Sequence, residues 1–327
     1  MIILYIVLGI VGLLILLNVI VFLFVLKEHN KIFNTRFTPS SLIKYYEANE
    51  FHLDSKKIEI NCKNEMIRGN IYTYGDYDQN KILVFCHGMD SCKDAYMQEI
   101  GTLCQNGFMV LGFDHLGVNE SDGKLSGISG SLKSLDYVIN YVKNSEELKN
   151  KDIYVVGHSW GAYATINIVK FHKDIKGIVG MAPFVNISSY FRYDLNKKNP
   201  LIISMIKLIE LIKFGKYAGC DGLKSLKDFN GKILLLQSTD DNTVNYNHAV
   251  GYLKNILGDK CEYIILNDRL HNPDYKVEAV KYLNEFVSNI NNYKGKDLEE
   301  YFKKQDFHKM GELDNNIMNE IINFINK

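Results

Sequence analysis

The sequence predicts an α/β protein: a doubly wound, mostly parallel sheet with an inserted helical cap, preceded by one transmembrane helix. Three observations carry this. Six short continuous apolar runs, at Ile82–Cys86, Phe108–Phe113, Ile153–Gly157, Gly177–Met181, Ile233–Gln237 and Tyr263–Leu266, have the character of strands buried on both faces. Helical stripes alternate with them, such as Leu132, Leu135, Val138 and Val142. The first 26 residues, Met1 to Leu26, contain no charged residue.

That N-terminal run sets the first element. As a helix it would span about 39 Å, more than the roughly 30 Å hydrocarbon layer, so residues 1–26 are expected to cross a bilayer as a single-pass anchor. A cleaved signal peptide needs a basic start, a shorter apolar stretch and a small-residue cleavage site, and none is visible. Lys27, Lys31 and Arg36 lie only on the far side, which by the positive-inside bias keeps the body cytoplasmic. The six cysteines lack C-x-x-C spacing and read as buried free thiols, in keeping with a reducing compartment.

Residues 27–55 read as a polar juxtamembrane linker with a short helix. Lys56–Ile60 and Met66–Tyr74 then form an antiparallel hairpin ahead of the parallel strands. About fifty residues separate the strands at Gly177 and Ile233, far more than an ordinary crossover, and the apolar stretch Leu201–Gly215 within them predicts a helical cap at about 184–231. Residues 56–290 thus make one domain. The tail, 291–327, ends in an amphipathic pattern with Ile317, Ile321, Phe324 and Ile325 on one face and reads as a docking helix.

Lys plus Arg and Asp plus Glu both total 38, so no global field draws the chain to nucleic acid. No Walker loop, dinucleotide fingerprint or H-E-x-x-H spacing occurs, and no cofactor or metal is expected. The chemistry is expected instead at Gly157-His158-Ser159-Trp160-Gly161. This fits G-x-S-x-G, in which small flanking residues let a strand turn sharply into a helix and expose the Ser. A Ser hydroxyl is a weak nucleophile without a base, and the base needs an acid to hold its tautomer. Asp240 and Asp241 follow the strand ending at Gln237, and His271 follows the strand ending at Leu266. After the first parallel strand, His87-Gly88 makes a tight turn that frees the Met89 backbone NH for an oxyanion, beside that of Trp160. His87, His115 and His158 read as turn and packing residues.

Taken together these segments resemble the α/β-hydrolase family, esterase and lipase branch, over roughly Lys56 to Ile290. The matching segments are His87-Gly88, Asp114 with Gly117, Ser121 and Gly123, the Ser159 elbow, Asp241-Asn242-Thr243-Val244, and His271-Asn272. The resemblance implies Ser159 as nucleophile, His271 as base and Asp241 as acid, with Asp240 the rival acid and His308 the rival base. Ser238, Asn245 and Asn119 depart from the residues the family usually has there, which bears on loop shape. The implied activity is hydrolysis of a carboxylic ester or thioester, the partner a small-molecule or lipid-like acyl substrate. An aminopeptidase-like amide hydrolase and a non-catalytic membrane-tethered scaffold are the alternatives.

Overall fold

The computed structural model describes residues 1–194 and 199–327; residues 195–198 of the expected cap lie outside the described residues. Eight strands form one sheet: β1 (Asp54–Cys62), β2 (Glu65–Thr73), β3 (Lys81–Cys86), β4 (Val110–Phe113), β5 (Asp152–His158), β6 (Gly177–Met181), β7 (Lys232–Ser238) and β8 (Glu262–Leu266). Their order is β1-β2-β4-β3-β5-β6-β7-β8. β3 to β8 run parallel, β1 and β2 pair antiparallel, and β2 joins the edge antiparallel to β4. Phe108 and Met109, read from sequence as strand, are buried residues leading into β4.

The helices are α1 (Ile2–Phe33), α2 (Met97–Gln105), α3 (Gly130–Asn144), α4 (Trp160–Ile168), α5 (Ile187–Asp194), α6 (Pro200–Phe214), α7 (Gly222–Lys227), α8 (Val250–Leu257), α9 (Val277–Ile290), α10 (Gly295–Lys303), α11 (Phe307–Met310) and α12 (Asn315–Asn326). α5, α6 and α7 lie between β6 and β7, where the sequence predicts a cap. One apolar core includes residues of α1, α3, α4 and α6. A second includes residues of α2 and α12, among them Ile317, Ile321, Phe324 and Ile325, all buried. Period-two burial in β1 and nearly continuous burial in β3 to β7 follow from an edge hairpin with one wet face and central strands covered on both.

α1 is long and apolar enough to cross a membrane. It also runs seven residues past Leu26, into the segment the sequence suggests is a linker. Val25, His29 and Phe33, spaced by four, are its buried residues, so one stripe docks on the body while Lys27 and Lys31 stay in solvent. The six cysteines are all buried and unpaired.

Chain direction along the sheet reverses at β3: the next strand, β4, is added on one side of it, and β5 on the other. Ligand crevices in open α/β sheets form at such a reversal, beyond the carboxyl ends of the strands. The turns after β3 and β5 meet there.

Candidate active site

The turn from β5 into α4 is built on close approach. A Cβ on Gly157 would run into Thr165 and the Gly161 backbone, and one on Gly161 would strike the Cys86 carbonyl, so neither position admits a side chain. Between them Ser159 takes φ 53° and ψ −113°, a conformation L-residues rarely hold. Its NH donates to Met181 O at 2.8 Å, tying the elbow to the end of β6.

Three side chains from separate loops meet in one line. Ser159 Oγ lies 2.8 Å from His271 Nε2, and His271 Nδ1 lies 3.0 Å from each carboxylate oxygen of Asp241. With a carboxylate at Nδ1, that nitrogen carries the hydrogen and Nε2 is left to accept from the Ser hydroxyl. The Asp241 carboxylate accepts from the NH groups of Thr243 and Val244, both at 2.9 Å, and from Gln237 Nε2 at 3.0 Å. Burial pushes this carboxyl up; its bond to His271 and the electrostatic attraction of that ring, the Val244 NH and the Gln237 amide outweigh that and hold it below the ordinary range. Asp240 is exposed and takes the Ser238 hydroxyl instead, while His308 stacks on Tyr46 at 3.5 Å between ring centroids. Neither rival joins the line.

The Met89 NH has no acceptor in the turn after β3, and the Trp160 NH, at the first position of α4, has none within its helix. The indole of Trp160 is used elsewhere: Nε1 donates to Ile128 O at 2.6 Å, and the ring packs against His115. In the turn, His87 Nε2 accepts from the His115 NH at 3.1 Å, so its Nδ1 hydrogen goes to Gly88 O at 2.7 Å; burial pushes this imidazole down to about 4. Asn119, where the resembled family often has Gly, takes φ 41°, which Asn tolerates better than most side chains.

A second set of contacts ties these parts together, and sequence patterns carried no sign of it. His158 Nε2 lies 2.8 Å from the His271 carbonyl, which only accepts, so Nε2 bears the hydrogen. Nδ1 must then accept, from Tyr96 Oη at 2.7 Å, and that oxygen accepts the Gly88 NH at 3.0 Å. One neutral imidazole, pushed down to about 3 by burial and by the neighbouring His271, thereby connects the turn after β3, the elbow and the His271 loop. Below that loop, Asp274 and Glu99 are buried together. Desolvation pushes Asp274 up to about 6, and desolvation with the nearby Asp274 carboxylate pushes Glu99 well above its usual range.

The model of the family described as serine aminopeptidase, S33, matches residues 77–217, which hold the turn after β3 and the elbow. The chain has the α/β-hydrolase fold. Among solved structures this chain is similar in fold to the Pyrococcus furiosus esterase Pf2001, with TM-score 0.56, 18% identity, and coverage of 82% of this chain and 98% of that one. It is similar too to Est1E from Butyrivibrio proteoclasticus with ferulic acid bound, with TM-score 0.55, 16% identity, and 71% and 98% covered. A third, 2,6-dihydroxy-pseudo-oxynicotine hydrolase, gives TM-score 0.51 and 14% identity over 66% of this chain and 62% of that one. Comparison with curated protein sequences finds no match.

Proposed function

We propose that this hydrolase cleaves a carboxylic ester through an acyl-enzyme on Ser159. His271 Nε2 takes the hydroxyl proton as Oγ bonds to the substrate carbonyl carbon. Asp241 holds the Nδ1 hydrogen and stabilises the imidazolium, and the NH groups of Met89 and Trp160 hold the oxyanion. Collapse returns the proton to the leaving alkoxide, and water then repeats the cycle on the acyl-enzyme, releasing the acid. The observation that carries this reading is the unbroken line from Asp241 through His271 to Ser159, with 3.0 and 2.8 Å contacts. A lipid-like acyl group suits an apolar cap and an N-terminal anchor, with the body on the cytoplasmic face.

The matched family's description favours a second reading, an aminopeptidase-like amide hydrolase. Against it stands the turn His87-Gly88-Met89-Asp90, where aminopeptidases of the resembled family carry H-G-G-P-G. A panel of p-nitrophenyl esters of graded acyl length, set beside aminoacyl amides, separates the two: turnover of esters and none of amides is expected. Labelling by a fluorophosphonate, lost in Ser159→Ala and His271→Ala, tests the mechanism; well-folded parent protein that takes no label would make this chain a scaffold.

A further inference from the structure

Six Asp and Glu residues are buried among the described residues, and four of them pair with a Lys or His: Asp114 with Lys93, Asp136 with His172, Glu210 with His29 and Asp241 with His271. The other two, Glu99 and Asp274, have no such partner. Each is 2% exposed, and Glu99 Oε1 and Asp274 Oδ2 receive no hydrogen from any other group. Apart from its own backbone NH, each carboxyl hydrogen-bonds only to the other. That bond needs a proton, because two carboxylates both accept and neither donates. Like charges in contact out of water do not both ionise.

The pair lies where the first turn of α2 meets the loop that carries His271. Tyr96, immediately before α2, and Glu99, in its first turn, reach that loop at two points. Tyr96 Oη holds His158, whose Nε2 donates to the His271 carbonyl at 2.8 Å, and Glu99 holds Asp274. A further hold comes from the residue before α12: the Asp274 carbonyl accepts the Asp314 NH at 2.8 Å, and Arg269 pairs with the Asp314 carboxylate. The loop needs restraint. Leu270, next to His271, has φ 46°, in the left-handed region that a side chain of this size seldom occupies and that persists only where the surroundings impose it.

We propose that Glu99 and Asp274 share one proton, and that the resulting carboxyl–carboxylate bond fixes the His271 loop against α2, which makes Glu99 a positioning residue for the base. It touches neither substrate nor Ser159 and acts through Asp274. The positioning role rests on the reading of Ser159 and His271 as nucleophile and base; the shared proton does not. The hold is titratable. Desolvation pushes Asp274 up to about 6, and desolvation with the neighbouring Asp274 pushes Glu99 well above its usual range. A carboxyl raised in the folded state contributes stability that is complete below its unfolded value and is lost as pH rises through its folded one. The pair therefore gives up its first proton through about pH 6 and its last above that, where two buried negative charges are left and the hold fails. Around the pair, burial pushes the Tyr96 and Tyr275 phenols up, so they stay neutral. Lys44, Tyr45, Tyr46, Asp94 and His308 line the same cleft as Glu99 and Tyr275, and none of them bonds to either carboxyl.

The test compares the full chain with Glu99→Ala, Glu99→Gln and Asp274→Asn, each checked for folding by circular dichroism. An amide in place of either carboxyl donates to the remaining carboxylate and has no proton to lose. Glu99→Ala is expected to lower kcat about 10- to 100-fold with KM unchanged. Both amide variants are expected to restore kcat at neutral pH and to lack the parent's fall in kcat and in fluorophosphonate labelling rate at the high-pH end of the profile. In infrared spectra at neutral pH the parent is expected to show a protonated-carboxyl C=O band that Glu99→Gln lacks. Folded Glu99→Ala with the parent's kcat, or with a change in KM alone, overturns the positioning role. A high-pH fall that persists in both amide variants overturns the titratable hold, and identical infrared spectra overturn the shared proton. A folded parent that takes no fluorophosphonate label overturns the positioning role together with the reading of Ser159, and the infrared comparison then still decides the shared proton.

Discussion

Among the described residues three histidines pair with a buried carboxylate, and comparing them shows what the pair alone does not provide. His271 meets Asp241, His172 Nε2 meets Asp136 at 2.6 Å, and His29 meets Glu210. In the last two the other ring nitrogen faces an ammonium: His172 Nδ1 lies 2.9 Å from Lys143 Nζ, and His29 Nδ1 lies 3.3 Å from Lys213 Nζ. A ring nitrogen accepting from lysine has no free lone pair for a substrate proton. At His271 that nitrogen faces the Ser159 hydroxyl, on a side chain still 17% exposed, against 7% for His172 and 2% for His29. What distinguishes the candidate site is the group on the far nitrogen and its access to solvent.

Substitutions that cut each pair sharpen the contrast. The largest effect is expected for Ser159→Ala or His271→Ala, a fall on the order of 10⁶ in kcat for the ester turned over best, measured at saturating substrate. Asp241→Asn, which leaves the geometry but supplies the wrong tautomer, is expected to lower kcat on the order of 10⁴-fold, whereas Asp240→Asn leaves it at the parent value. A comparable loss in Asp240→Asn would break the assignment of the acid.

Glu210→Ala strands His29 and two backbone NH groups inside the protein, and a stability loss of about 3–5 kcal/mol is expected by denaturant unfolding in detergent. Asp136 gives a pH signature. Burial alone pushes its carboxyl up, but the bonds from His172 and Tyr217 and the nearby charges bring it down to about 2. A depressed carboxyl contributes stability that is complete above its unfolded value of 3.8 and is lost as pH falls towards 2. Asp136→Asn is therefore expected to be about 2 kcal/mol less stable at pH 7, with the gap to the parent closing between pH 4 and 2, and kcat unaffected. The smallest effect is expected for Tyr96→Phe. It leaves the Gly88 NH and His158 Nδ1 unpaired at a cost of about 1–3 kcal/mol; misalignment of the His271 loop is expected to lower kcat about tenfold with KM unchanged, and a pure KM change would remove Tyr96 from any positioning role.

Much of the architecture was readable along the chain because strands buried on both faces leave unbroken apolar runs. The elbow was readable for a related reason: Gly157 and Gly161 stand where backbones touch, so a local steric demand appears as a local pattern. The order of Ser159, the Asp240–Asp241 pair and His271, each after a parallel strand (β5, β7 and β8), was readable too. Which Asp reaches His271 came only from the family resemblance, which named Asp241 over its neighbour of the same type; in the structure the NH groups of Thr243 and Val244 turn Asp241 inward. Tyr96 and Gln237 escaped notice because neither belongs to a motif. The extension of α1 to Phe33 was hidden by Lys27, Glu28 and Lys31, whose charges mask the stripe Val25, His29 and Phe33.

The sequence by itself determined the elements whose cause is local: period, turn sterics, and the uncharged N-terminal run. Only the tertiary structure decided which buried histidine faces a hydroxyl and which face lysines, and how far along α1 the cap helix sits. Those outcomes depend on groups 29 to 184 residues apart meeting within about 3 Å, and no spacing along a chain encodes such a meeting.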